Sequence, residues 1–252
     1  MKHNPTTLLL LIAAFVTVAS AAARGQALVA DLSSHHVAIT TGFTGTDVLL
    51  FGALDGEGDV VVVITGPPET VAVRNKQRIA GIWVNADAVE FQGVPNFYAV
   101  ASNRPLTEIT SADIRETQQI GAEYIAATVA EDDKDRPAAD LARFREALIR
   151  NKQKNGLFSV EPEEISIVSD RLFRTQIHFP SNMATGSYTA VVYLFRDGEA
   201  IQAVSTPMLV EKVGVGAEIY NFAHEQSALY GIAAIVVAVF AGWLGGVIFR
   251  KV

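Results

Sequence analysis

Asp47-Val48-Leu49-Leu50-Phe51-Gly52-Ala53-Leu54 and Val60-Val61-Val62-Val63-Ile64-Thr65, separated by Asp55-Gly56-Glu57-Gly58-Asp59, decide the fold class. β-Branched and large apolar residues fill both runs, and the glycines between them permit the positive φ angles of a tight hairpin, so the stretch predicts two paired strands. Residues 60–64 show no polar alternation. An unbroken β-branched run of that length predicts a strand buried on both faces.

Working outward, residues 29–33, 37–41, 70–77, 81–85, 88–91 and 97–102 read as further short strands parted by Gly and Pro turns. Such a series predicts a mainly β architecture, with an immunoglobulin-like β-sandwich lobe over residues 28–106. Between 107 and 156 the apolar period lengthens to that of a helix. Thr110 or Ser111 caps a first helix, Asp113 favours its positive end, and Ile114, Ile120, Tyr124 and Ile125 supply an imperfect apolar stripe. After the acidic Glu131-Asp132-Asp133, Pro137 opens a second helix, in which Leu141, Phe144 and Leu148 recur at three and four residues, and Gly156 closes it. The expectation is a helical hairpin packed on the sandwich or inserted between two β segments. Over 157–216 the β pattern returns, with strands at 172–179, 187–195 and 200–210 and a hairpin turn at Arg196-Asp197-Gly198-Glu199. Tyr188 falls where sandwich domains carry a corner tyrosine. Three strands cannot bury two faces alone, so this segment forms a small second sandwich or completes the first; a second lobe packed closely on the first is the arrangement expected.

Both ends point to a membrane. Residues 228–249 carry no charge and are followed by Arg250 and Lys251; about 22 residues at about 1.5 Å each reach about 33 Å, enough to cross a hydrocarbon core of about 30 Å. Lys2 and His3, an apolar stretch at 8–18 and the small residues 19–23 have the pattern of a secretory signal peptide over 1–27, cleaved in the region 23–27. An uncleaved amino-terminal anchor is the alternative. Export would leave the bulk of the chain outside, a juxtamembrane segment at 217–227, one transmembrane helix and a cytoplasmic tail at 250–252. The positive-inside rule agrees, because the outer flank carries Glu218, His224 and Glu225 in place of Lys or Arg.

Composition narrows the chemistry. The chain has a formal net charge of −7; without Lys2, Arg24, Arg250 and Lys251, 16 basic residues face 27 acidic ones in the exported part, a net of −11. Such a domain is a poor partner for nucleic acid. The absence of cysteine excludes disulfides, thiol nucleophiles, Cys-ligated zinc and iron–sulfur clusters. Gly56-Glu57-Gly58 lacks the third glycine, following helix and lysine of a phosphate loop, and Asp55, Glu57 and Asp59 lack the glycine and closing glutamate of a calcium loop. The adjacent His35 and His36 would point to opposite faces of a strand, and His178 and His224 stand apart from them. No nucleophile elbow, zinc-protease helix or paired-carboxylate signature occurs, so no catalytic residue, cofactor or metal ligand is assigned and the chain reads as a non-enzyme.

Two patterns qualify as interaction surfaces. Arg74, Lys76 and Arg78 alternate with Val73, Asn75 and Gln77 and so share one strand face, where they would bind an anion or an acidic partner, or protect a sheet edge from aggregation. Within the apolar anchor, Ala234, Ala238, Gly242 and Gly246 recur every four residues, a small-residue ridge that lets another helix approach.

Leu28-Val29-Ala30-Asp31-Leu32-Ser33, Ile39-Thr40-Thr41-Gly42-Phe43-Thr44-Gly45, Gly81-Ile82-Trp83-Val84-Asn85, Phe97-Tyr98-Ala99-Val100-Ala101-Ser102 and Tyr193-Leu194-Phe195-Arg196-Asp197-Gly198 resemble an uncharacterised alphaproteobacterial transmembrane protein family over almost the whole exported part and the anchor. The resemblance implies a single-pass inner-membrane protein facing the periplasm, with no assigned catalytic residues. It further implies an accessory role beside a sulfite-exporter-type permease. The functional expectation is therefore a membrane-anchored interaction or accessory module serving a transporter or envelope complex, with a small-anion or ligand sensor as the alternative and an enzyme with a dispersed site third.

Overall fold

The computed structural model describes residues 27–79 and 81–249. The signal-peptide reading, apart from Ala27, and the reading of 250–252 as a cytoplasmic tail lie outside the described residues. In chain order the strands are β1 (Leu28–Leu32), β2 (His36–Ile39), β3 (Gly45–Leu54), β4 (Asp59–Thr65), β5 (Pro68–Ile79), β6 (Ile82–Pro95), β7 (Tyr98–Ser102), β8 (Thr128–Val129), β9 (Glu163–Glu164), β10 (Ser166–Val168), β11 (Leu172–Pro180), β12 (Gly186–Arg196) and β13 (Glu199–Lys212). Helices α1 (Leu106–Ile109), α2 (Ala112–Thr117) and α3 (Ala138–Lys154) lie between β7 and β9, and α4 (Val215–Glu225) and α5 (Ser227–Phe249) follow β13.

The valine run explains the layering. All five residues from Val60 to Ile64 are buried, as their sequence predicts. Val60, Val62 and Ile64 enter one core with Leu28, Leu50, Phe173 and Phe179, while Val61 and Val63 enter a second with Phe91, Phe144, Leu148 and Phe195. Each such side chain contributes about 1.5–3 kcal/mol relative to exposure. A sheet ordered β2-β13-β12-β4-β7-β9 thus forms the middle layer. A four-stranded sheet, β1-β3-β11-β10, covers one face, and a three-stranded sheet, β5-β6-β8, together with α3 covers the other.

Three expectations need correction. β3 and β4 are not a hairpin: β3 pairs with β1 and β11, β4 with β12 and β7, and residues 55–59 arch from one sheet to the next. The cause is burial. Val48, Leu50 and Leu54 bury only one face of β3, which fits an outer layer, whereas β4 needs cover on both sides. Gly56 takes φ +90°, and the Arg196 guanidinium donates to the carbonyls of Asp55 (2.5 Å) and Glu57 (2.7 Å), holding the arch. Next, the carboxyl-terminal β segment is no second lobe. β11 joins the outer sheet beside β3, and β12 lies beside β4 in the middle sheet, so the two segments complete one interleaved structure. Finally, the first arm of the expected helical hairpin is only the short α1 and α2, because Ile120 and Ile125 reach the second core from the loop beyond them.

Local readings at several turns hold. The Ser111 hydroxyl accepts from the Ile114 amide at the start of α2, α3 runs from the residue after Pro137, and Gly156 adopts φ +70° beyond its end. Asp197 (φ +52°) and Gly198 (φ +86°) make the turn between β12 and β13. Buried Tyr188 donates through its hydroxyl to the Ala184 carbonyl at 2.7 Å, the reach-back bond of a corner tyrosine, and burial pushes its pKa up to about 12.

Candidate interaction surfaces

The strands expected at 81–85 and 88–91 are parts of one long strand, β6, which begins at Ile82 and forms a hairpin with β5. Val73, Val89, Phe91 and Val94 root it in the second core. The pairing shifts between Arg74↔Ala88 and Lys76↔Asn85, so the additional residue sits on β6 and β5 keeps its alternation. Arg74, Lys76 and Arg78 are all exposed, as one face of a strand requires. Gly81, at φ +87°, marks the tip, where Ile82 is 70% and Val84 41% exposed. The Arg78 side chain donates to the Gly81 carbonyl at 3.2 Å.

Several other cations are engaged, though Arg150, Lys154, Arg171, Arg174 and Lys212 make no ion pair among the described residues. Arg104 grips Asp59 through two nitrogens (2.7 and 2.5 Å), Arg143 meets Asp140, and buried Lys152, its ammonium over the Phe158 ring, pairs with Glu69, tying α3 to the root of β5. Among the described residues, none of Arg74, Lys76 and Arg78 makes an ion pair. The sequence missed the exposed tip and the roles of Lys152 and Arg136. A signal for the tip was present: Ile-Trp-Val directly follows Gly81, where a hairpin turn ordinarily turns polar.

Arg136 braces the hairpin from outside. It donates to both carboxylate oxygens of Asp87 (2.8 and 2.9 Å), to the Ala88 carbonyl and to Asp133 (2.7 Å), and Asp133 in turn accepts the Glu90 amide at 2.9 Å. The guanidinium holds the Asp87 carboxyl below its ordinary value of 3.8; the Glu90 amide, then Arg136, do the same for Asp133, and Arg104 does so for Asp59. A carboxylate whose folded pKa is depressed contributes stability that is complete above 3.8 and fades as pH falls through the lower folded value. The urea midpoint of the detergent-solubilised protein should therefore drop on acidification below about pH 4. Arg136→Leu should lower the midpoint at neutral pH and flatten that acid slope; an unchanged slope would show that Arg136 does not brace the hairpin.

Elsewhere, an open groove of about 560 Å³ lies between α3 and residues 159–162, with Val100, Leu106 and Ile149 beneath a rim of Glu123, Glu146 and Arg150. Among the described residues no group of three or more His, Asp or Glu side chains is placed to hold a metal ion. His35 and His36 have separate partners, Asp31 (2.8 Å) and Glu211 (3.3 Å), while His178 pairs with Asp47.

At the carboxyl-terminal end, α5 presents exposed Ile235, Val236, Val237, Phe240 and Leu244 over one broad arc and exposed Ala234, Ala238 and Gly242 on the remainder, so it is apolar all round, the pattern of a helix whose solvent is lipid. Residues Ser227–Ile248 are long and apolar enough to cross a membrane. Ala234, Ala238 and Gly242 are exposed, as is Gly246, and nothing lies within 4 Å of a Cβ placed at either glycine. At four-residue spacing the ridge winds around the helix, which suits a crossing neighbour better than a parallel one.

A layered β domain carrying one fully apolar helix defines a membrane-anchored protein. The chain matches the family described as "Putative transmembrane protein (Alph_Pro_TM)" over residues 27–251, and it belongs to that family. Among curated proteins, none matches it.

Proposed function

We propose that the chain is a non-enzymatic interaction module, held at the periplasmic face of the bacterial inner membrane by α5, that supports a membrane partner such as a sulfite-exporter-type permease or an envelope complex. The observation that carries this reading is the β5–β6 hairpin, braced by Arg136, with a basic row that makes no ion pair among the described residues beside an exposed apolar tip. On an exported part of net charge −11 the row is an island of opposite sign, suited to an acidic surface with an apolar centre. The ridge Ala234, Ala238, Gly242 and Gly246 offers the same partner a second contact within the bilayer.

A photo-crosslinker placed at Ile82 in cells should trap one membrane protein that also co-purifies in detergent, and reversing Arg74, Lys76 and Arg78 to Glu should abolish both signals. Recovery of the chain alone would refute the reading. A small-anion sensor fits less well, because all three side chains of the row are exposed on the strand face. Sulfate and sulfite should accordingly leave the melting temperature unchanged, since a ligand that binds only the folded state must raise it.

A further inference from the structure

We propose that α4 lies in the headgroup layer of the bilayer that α5 crosses, as an interfacial helix packed on lipid through its apolar side. At 100° per residue, Ile219, Phe222 and Ala223 fall within one stripe flanked by Tyr220, whereas Glu218, Asn221 and Glu225 recur at three and four residues on the other side of the sequence pattern. Ile219 is 51% exposed, Tyr220 61% and Phe222 38%, so the protein leaves this apolar stripe uncovered.

Continuity identifies what covers it. Only Gln226, at φ −129° and ψ 50°, interrupts the chain between α4 and the membrane helix. Backbone bonds span the break, with the Gln226 amide donating to Phe222 (3.0 Å) and the Tyr230 amide to Gln226 (2.9 Å). The Phe222 ring meets Tyr230 edge-on at 6.0 Å, and Tyr220 stacks on His224 at 4.0 Å. Tyr220, Phe222 and Tyr230 therefore gather at one end of the spanning helix, where amphipathic rings favour the membrane–water boundary. α4 contains no Lys or Arg. Its attachment rests on apolar burial and not on attraction to anionic lipid, which separates it from cationic surface helices.

Because the chain has no cysteine, single cysteines report cleanly. Ile219→Cys, Phe222→Cys, Glu225→Cys and Ile235→Cys, each carrying an environment-sensitive fluorophore, would be compared in the full-length protein in phosphatidylcholine nanodiscs. Labels at 219 and 222 should be quenched by lipids spin-labelled near the headgroup, at least about twofold more than the label at 225, which aqueous iodide should quench instead. Adding phosphatidylglycerol or raising salt should leave the pattern unchanged. Equal iodide quenching at 219, 222 and 225 would overturn the proposal, as would protection that appears only with phosphatidylglycerol. The label at 235 reports on the membrane helix separately: iodide access there would show that α5 does not span, a different failure. Unchanged melting of each labelled protein confirms that its β domain is intact.

Discussion

Fused after Lys212, a phosphatase that matures only outside the cytoplasm is expected to be active; fused after Val252, it is expected to be silent. The effect is all-or-none because α5 separates the two sites. Its 23 residues reach about 34 Å at about 1.5 Å each, and a helix satisfies its own backbone hydrogen bonds in lipid. The direction expected comes from the flanks, with Arg250 and Lys251 on one side and His224 and Glu225 on the other. Activity of the fusion at Val252 would reverse the orientation proposed above. Intact mass of the purified protein should in addition lack the first 23 to 27 residues predicted as a signal peptide, and a full-length mass would favour the uncleaved anchor.

Gly52→Ala should destabilise the β domain by about 3 kcal/mol, at the upper end of ordinary overpacking. Gly52 sits in β3 opposite Ala30 of β1 and Phe173 of β11. A Cβ there would fall 2.2 Å from the Val29 carbonyl oxygen and 2.4 Å from the Phe173 ring. The ring can rotate only into a packed core, and the carbonyl belongs to a strand held on the sheet. At about 2–4 °C per kcal/mol for a domain of this size, the melting temperature should fall by about 6–12 °C. Gly42→Ala, with nothing within 4 Å of the added carbon, should change stability by less than about 0.5 kcal/mol. Equal melting of the two variants would mean that β1 yields and that the close approach at Gly52 carries no cost.

What the sequence made legible were features decided locally. The run Val60 to Ile64 announced a doubly covered strand, Pro137 and Gly156 bracketed α3, Asp197-Gly198 made its turn, and the charge-free stretch after Ser227 marked the helix able to cross a membrane. Pairing between layers was less legible, because turn residues such as Gly56 serve a hairpin and an arch equally well. The deciding clue was a contrast in burial demand: β3 alternates and β4 does not, and strands of unequal demand belong to different layers. The candidate surface was half legible. Alternation placed Arg74, Lys76 and Arg78 on one face, but the lack of an ion-pair partner among the described residues and the exposed apolar tip depend on what the rest of the chain leaves bare. Arg136, 49 residues from Asp87, could be matched to it only once the loop had folded.

The interleaving of the two β segments has a temporal side. A chain that emerges amino-terminus first presents β3 and β4 long before β11 and β12, since Asp47 waits for His178 and Val62 for Val192. Until then β4 has only β7 beside it, and the outer sheet has only the β1–β3 pair. The β5–β6 hairpin, whose partners lie from 3 residues apart at Ile79↔Ile82 to 27 at Pro68↔Pro95, can form early. The half-made middle layer meanwhile carries an unsatisfied edge of five consecutive β-branched residues, the type of segment that aggregates when left open. Safe maturation therefore depends on shielding that edge for roughly the time needed to deliver another 130 residues. The helix that fastens the protein to its membrane arrives only after the sheets can close.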